Sequence, residues 1–501
     1  MKRSATAVLF FYGSAIALAQ ITEFKILPSD GEMGAEFGNS VSVFNGYAIV
    51  GAYFDDNENG LDAGSAYIFE RIDTSWVEIQ KLFASDGSAL ETFGSSVSIY
   101  EDYAVVGSPF ADGNFNNTGA VYLYKNDSTG WNEKLKLIPS DATEGIDFGW
   151  SVSIAGEFII VGAWGDNVNG LYSGSAYIYR RNDTTWIEDQ KLIASDGDSL
   201  DNFGIAVSIS GDYAIIGAPH DDDNGENSGS AYIYKRQDTT WIEVQKLLPT
   251  DGAAGDEFGW SVSIYGEDAI VGSNQSDAAY IFGYNGIDWI EEQKLTSDNS
   301  PLVFSFGGSV SIYEDYAAVG ASGENNLGST YIFRKETNNW VQEQKLVASD
   351  SGENDFFGIS VSIADNITLI GASFNDDNGE NSGSAYIYNG FVLDVEDEKY
   401  LKVPDNYRLF QNYPNPFNPS TKISWQVPAG SWQTLKIYDV LGNEVATLVD
   451  EYKPAGTYEV EFNISSISGN VSAKGGYASG VYFYQLRTDG FIETKKMILL
   501  K

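Results

Sequence analysis

The sequence contains no cysteine and one histidine, His220. Without cysteine there are no disulfide staples, no thiol nucleophile and no thiolate metal site; a single histidine gives zinc binding or Ser-His-Asp chemistry one participant at most. Beyond the N-terminal residues no run of 18 or more apolar residues occurs, so no membrane-spanning helix is expected. Positive charge is scarce: 29 Lys and Arg stand against 71 Asp and Glu, a formal net charge of −42. So acidic a surface repels phosphate backbones and anionic lipid, which excludes nucleic acid as an expected partner and leaves divalent cations open. The imbalance is local. Residues 404–501 carry nine basic and nine acidic side chains, so the whole excess lies before them.

What is present favours a folded, strand-rich protein. Hydrophobic residues make up 43% and aromatics 14%, with 53 Gly, 31 Tyr and 28 Phe, a balance suited to strands and tight turns. The N-terminus reads as an export signal: Lys2 and Arg3, an apolar stretch from Ala5 to Leu18, and Ala17-Leu18-Ala19 before Gln20. Residues 1–19 are therefore expected to be a cleaved signal peptide.

The dominant feature is an internal repeat. Phe-Gly recurs at Phe37, Phe93, Phe148, Phe203, Phe258, Phe306 and Phe357, at intervals of 56, 55, 55, 55, 48 and 51 residues. Fourteen residues after each Phe stands a Gly followed by Ala or Ser, from Gly51-Ala52 to Gly371-Ala372. The fixed offset inside a drifting period marks a rigid hairpin followed by variable loops. The fourth unit shows four short strands: Ile205 to Ser208, Tyr213 to Ile216, Ser230 to Tyr234 and Trp241 to Leu247. Seven such units predict a seven-bladed all-β propeller over residues 20–393. Small residues such as Ser40, Ser42, Ser96 and Ser98 suit a thin innermost strand. A lysine before the last leucine (Lys81, Lys191, Lys246, Lys294, Lys345) is expected to charge an exposed sheet edge against unwanted pairing. The seventh unit lacks its fourth strand. Phe24-Lys25-Ile26-Leu27 aligns with Gln80-Lys81-Leu82-Phe83, so the first strand of the mature chain is expected to complete the last blade, in a monomer.

These paired motifs resemble the FG-GAP family, whose repeats also build the integrin α-subunit propeller. The resemblance covers residues 21 to 393 and implies the propeller fold. The acidic calcium loop that integrin-type repeats carry between the two motif halves is replaced here by tight turns such as Asn45-Gly46 and Ser210-Gly211, so that site does not transfer.

Two sets of loops are expected on one end of the propeller, and both are acidic. Asp55-x-Asn57-x-Asn59-Gly60 matches the first half of an EF-hand loop, yet its twelfth position is Ala66 where a bidentate glutamate is needed. Asp221, Asp223, Asp376 and Asn378 stand in similar oxygen-rich loops, which makes Ca²⁺ a candidate cofactor against the plainer reading of solvated turns. Asp86, Asp196, Asp222 and Asp377 complete an expected acidic ligand face. Most acidic positions recur from blade to blade, which suits turn chemistry better than one asymmetric catalytic centre. The departures from symmetry are His220, a short loop from Asn274 to Asp277, and Glu324 to Asn326.

Residues 394–403 read as a linker. Residues 404–501 open with Asn412-Tyr413-Pro414-Asn415-Pro416-Phe417-Asn418-Pro419 and continue in six short strands, suggesting a small immunoglobulin-like β-sandwich. The Pro-Asn block, Ile437-Tyr438-Asp439-Val440-Leu441-Gly442, Gly480-Val481-Tyr482-Phe483-Tyr484 and the ending Lys495-Lys496-Met497-Ile498-Leu499-Leu500-Lys501 closely resemble the type A C-terminal sorting domain of the type IX secretion system. That resemblance implies the secretion machinery as a partner, and release from or attachment to the outer surface of a Gram-negative cell. The expected function is a non-enzymatic binding or adhesion protein presenting the acidic face to a glycan, protein or cation. The alternative is a surface-displayed polysaccharide hydrolase or lyase using propeller carboxylates.

Overall fold

The computed structural model describes residues 22–390 apart from 114, 184, 298–304 and 338, and residues 407–500 apart from 413, 429–430, 454–455, 464–478 and 489. The expected signal peptide and linker lie outside the described residues. The chain forms two compact units, Met1–Val392 and Leu393–Lys501.

The first unit is a propeller of seven four-stranded antiparallel sheets. Blade one comprises Val41–Phe44, Tyr47–Ala52, Ser65–Ile72 and Ser75–Leu82, side by side in chain order. Blades two to six repeat this arrangement. Blade seven takes Val361–Ala364, Ile367–Ala372 and Ser384–Asn389 from the end of the repeat region, and Thr22–Ile26 from its beginning as the outermost strand. Phe24 pairs with Ile387 and Ile26 with Ala385. The other complete blades carry a bulge at this point of the outer strand, as between Ile68 and Phe69. The pairing of Thr22–Ile26 has none, which brings Glu23 opposite Tyr388 where Glu78 stands opposite Phe69 in blade one.

A ring of hydrogen bonds closes the circle. In each blade one innermost-strand serine accepts from a main-chain N–H of a neighbouring blade: Ser42 from Ile99, Ser98 from Ile154, Ser153 from Ile209, Ser208 from Ile264, Ser263 from Ile312, Ser311 from Ile363 and Ser362 from Val43, all at 3.1–3.3 Å. These serines therefore do more than keep the strand thin. Each satisfies a main-chain donor at a junction where no sheet ladder can reach.

The Phe-Gly pair works by burial and close approach. All seven phenylalanines are at most 1% exposed. Phe37 packs edge-on against Tyr67 and Phe69 of its own blade, at 5.5 and 6.0 Å between ring centres, and shares a core with Leu369 and Ile387 of blade seven. Such edge-to-face contacts add to the roughly 1.5–3 kcal/mol from burying each ring. Gly38 has φ +99°, and a Cβ there would lie 2.4 Å from the Ser384 carbonyl oxygen, so only glycine lets the chain pass.

The second unit has a three-stranded sheet (Arg408–Leu409, Ser420–Val427, Gly456–Asn463) and a four-stranded sheet (Glu444–Lys453, Ser431–Tyr438, Gly480–Arg487, Ile492–Leu499). They share one core that includes Trp425, Ile437, Tyr484 and Met497. Its two terminal motifs meet. Asn415 Oδ1 accepts from the Ile498 N–H at 2.9 Å, and Phe417 exchanges main-chain bonds with Ile498 and Leu500. Asn412 donates to Thr421 Oγ1 and to the Pro414 carbonyl. The Pro-Asn block thus covers the last strand.

Candidate ligand-binding face

Each blade carries a polar cluster built from three of its strands and loops. In blade one the Tyr67 hydroxyl lies 2.9 Å from Asp30 and 3.1 Å from Asp55. Lys81 bridges the same two carboxylates at 2.8 Å each, its ammonium 5.1 Å from the centre of the Tyr67 ring. Blade four repeats the arrangement: Tyr232 between Asp196 and Asp221, and Lys246 on Asp196, Asp221 and Asp223 at 2.9, 2.8 and 2.7 Å. In blade three the set is Tyr177, Asp141, Asp166 and Lys191. In blade six Glu324, set apart in the sequence, takes the inner position, receiving Tyr331, Ser329 and Lys345. Blade seven uses Lys25 of the closing strand, on Asp350 and Asp377.

This corrects the role expected for the lysines. They do not guard an outer edge by standing in solvent; they fold back over a tyrosine ring onto the loop carboxylates. The Lys246 side chain is 15% exposed and that of Asp221 only 5%. A cationic hydrogen-bond donor stands among the carboxylates, where a buried negative charge demands one. Burial raises the carboxyls of Asp30, Asp86, Asp141, Asp196 and Asp350, but the lysine and tyrosine hydrogen bonds outweigh it and hold them below the usual range. For Asp251 the Lys294 bond is the largest influence, in the same direction.

The remaining candidates from the sequence separate into turn formers and cluster members. Asn57 donates to the Gly64 carbonyl at 2.7 Å and accepts from the Asn59 N–H at 2.8 Å, while Asn59 donates to the Ala84 carbonyl at 2.7 Å. Asp222 and Asp376 cap their own loops through the N–H groups of Asn227 and Asn381, and Asn378 donates its N–H to the Ser382 hydroxyl. Asp86 binds Tyr122 and Lys136, both at 2.9 Å. Asp55, Asp221, Asp223, Asp196 and Asp377 are lysine partners, as above. Among the described residues no group of three or more His, Cys, Asp or Glu is arranged to hold a metal ion. His220 pairs through Nδ1 with Asn202.

Sequence reasoning from the repeats missed an aromatic cleft, because it lies at positions where the repeats differ. The residue after each Phe-Gly, and the two residues after each Gly-Ala or Gly-Ser, are aromatic at Tyr53, Phe54, Phe110, Trp150 and Trp164 in blades one to three. Elsewhere only Trp260 and Phe374 are, and blade six has Gly308, Ser322 and Gly323. Asn39, Tyr53, Phe54, Ser95, Pro109, Phe110 and Trp150 line a cavity of about 320 Å³ that crosses these three blades. Trp150 and Phe110 remain 37% and 38% exposed. Tyr53 and Phe54 pack at 4.0 Å between ring centres, and Trp150 meets Trp164 edge-on at 5.5 Å. Tyr53 donates to Glu36 at 2.6 Å, and Asn39 donates to the Ser95 carbonyl while its own Oδ1 has no partner. Three residues before Trp150, burial pushes the Asp147 carboxyl up to about 6.

Comparison with known proteins gives the architecture a family. The FG-GAP repeat model matches seven times, at residues 22–69, 76–124, 131–179, 186–234, 241–282, 289–333 and 340–388. From the second match onward, each begins on the outer strand of one blade and ends on the third strand of the next; the first begins at the strand that closes the ring. The secretion system C-terminal sorting domain matches residues 411–500. No curated protein matches. Among solved structures, that of U3-55K is similar at 8% identity, covering 74% of this chain and 98% of its own, with a TM-score of 0.46. The WD40 domain of Toxoplasma gondii coronin is similar at 10% identity, covering 75% and 88%, with a TM-score of 0.45. No described helix is long and apolar enough to cross a membrane. Seven matched repeats, seven blades and a matched sorting domain place the chain in the FG-GAP repeat family, as a propeller tagged for type IX secretion to the cell exterior or outer surface.

Proposed function

We propose that this exported propeller is a binding protein that seats a neutral saccharide in the cleft of Tyr53, Phe54, Phe110 and Trp150. The supporting observation is the asymmetry of the cleft. A repeat protein gains nothing structurally by exposing indole and phenyl rings on three adjacent blades and small polar residues on another, whereas a ligand needs one such place. A pyranose ring has an apolar C–H face, which lies flat on an aromatic ring, and a rim of hydroxyls, which Asn39 and Ser95 can meet. An anionic ligand is disfavoured by the net charge of −42. The repeated carboxylates are engaged with lysine, which supports binding without turnover and without Ca²⁺.

Glycan-array binding by the full mature chain tests this reading. Saturable binding should weaken at least tenfold in Trp150→Ala, remain in Trp260→Ala, and be indifferent to chelator. Binding untouched by Trp150→Ala would refute the cleft. Release of cleaved product that stops in Asp147→Asn would move the assignment to the hydrolase.

A further inference from the structure

The outer strands are tied blade to blade by a recurring clasp. Gln80 Nε2 donates to the Trp131 carbonyl at 2.6 Å while Gln80 Oε1 accepts from the Trp131 N–H at 2.9 Å. Gln190 holds Trp241, Gln245 holds Trp289 and Gln293 holds Trp340 in the same two-bond fashion, at 2.7–2.8 Å. The tryptophan main chain is free to be held because it faces away from its own blade. Trp131 stands opposite Asn126, whose N–H is directed to the Asp102 carbonyl on the other side, the geometry of a pair that shares no ladder bonds.

Between blades two and three the clasp is missing. The position of the glutamine is Leu135, opposite Leu123 as Gln80 is opposite Ile68. Trp186 has the same register as Trp131: it stands opposite Arg181, whose N–H goes to the Glu157 carbonyl. The Trp186 N–H and C=O therefore point at the neighbouring blade, where no side chain among the described residues receives them. A cavity of about 330 Å³ opens there, with Tyr103, Leu123, Leu135 and Trp186 as apolar walls and Lys125, Lys134, Asp183 and Thr185 around it. Where blade seven meets blade one, Phe24 stands in for the glutamine and packs, partly buried, against the core of that junction. Where blade five meets blade six a groove is also open, yet Gln293 lines it and already holds Trp340.

We infer that the slot between blades two and three binds the side-chain carboxamide of an asparagine or glutamine presented by a partner protein. The four clasps are the internal template. A primary carboxamide carries an N–H on the same side as its C=O, so it reaches the N–H and C=O of one tryptophan together. The acetamido group of an amino sugar has its N–H opposed to its C=O and cannot make both bonds. A carboxylate could accept from the Trp186 N–H but would set an oxygen against its carbonyl. The slot is independent of the aromatic cleft, which lies on other residues.

The test uses the full mature chain and two short peptides, identical except for a central glutamine or methionine, with the Trp186 amide followed by NMR. The glutamine peptide should shift that amide saturably and bind at least about tenfold more tightly than the methionine peptide, the expectation for two ordinary hydrogen bonds. Leu135→Gln should restore the clasp, abolish peptide binding and raise the melting temperature. Gln80→Leu, the converse, should open a second site at Trp131 and double the stoichiometry, which keeps the proposal testable if Leu135→Gln folds poorly. Equal binding of the two peptides would mean recognition of main chain rather than carboxamide and would overturn the proposal. So would undiminished binding by Leu135→Gln, or an absence of saturable binding.

Discussion

Replacing Lys246 by methionine isolates the energetic role of the lysine clusters. Lys246→Met keeps most of the stem that lies over Tyr232 and removes the ammonium. Asp221, 4% exposed, then loses its cation and keeps the hydroxyls of Ser230 and Tyr232 and the Asp223 N–H for its charge. Breaking a buried ion pair from one side costs about 3–5 kcal/mol. The half-exposed Asp196 and Asp223 lose little, since each surface pair is worth about 0–1 kcal/mol, so about 3–5 kcal/mol is the expected total. Blade two supplies the control. There the inner carboxylate is replaced by Ala111, and among the described residues the only carboxylate on Lys136 is Asp86, whose side chain is 55% exposed. Lys136→Met should cost about 1 kcal/mol or less. Asp221→Asn in the Lys246→Met background should return about half of the loss, because it removes the stranded charge; blade seven already carries Asn375 at this position. Differential scanning calorimetry of the four proteins at pH 7 measures this. Equal losses at Lys246 and Lys136 would refute the reasoning, for they would mean that the buried carboxylate does not need its cation.

Two further outcomes follow from the same structure. Deleting residues 20–26 removes the strand that pairs with Ser384–Asn389, together with Glu23, which accepts from Ser349 and Tyr388; the bared edge should cause association in size-exclusion chromatography and proteolysis within residues 361–390, whereas deleting residues 1–19 alone should cause neither. Asp147, raised from 3.8 to about 6 by burial, is a destabilising charge above pH 6, and its contribution to stability grows as pH falls through the window between those values; Asp147→Asn should therefore exceed the parent by about 1–2 kcal/mol at pH 8, after allowance for solvent screening, and match it near pH 4 in urea titrations. A constant difference across that range would exclude titration of Asp147 as its source.

The fold was legible because its signals are local and repeated seven times. A phenylalanine that must wedge between sheets, a glycine that must pass a carbonyl and a strand pair of fixed length leave the same mark in every unit, so Phe37-Gly38 and Gly51-Ala52 announce the blade without any knowledge of its neighbours. The closing strand was legible for the same reason, since Lys25 and Ile26 carry the register of Lys81 and Leu82. The polar site was read less well. Asp55 and Asp221 were noticed for their oxygen atoms, but their partners Lys81 and Lys246 lie 25 or so residues away along the chain and were assigned to the strand edge. Nothing in a sequence says whether a lysine on an edge strand turns outward or lies back across a tyrosine.

Composition, period and motif thus determine the ring, its count of blades, its closure by the chain's own beginning and its sorting domain, because each depends on patterns a few residues long. Which carboxylates are neutralised, which rings stay exposed and which clasp is missing were decided only in three dimensions. Those properties arise between blades, where side chains some 50 residues apart meet and where one altered residue, Leu135 or Trp150, changes a junction without disturbing the repeat around it.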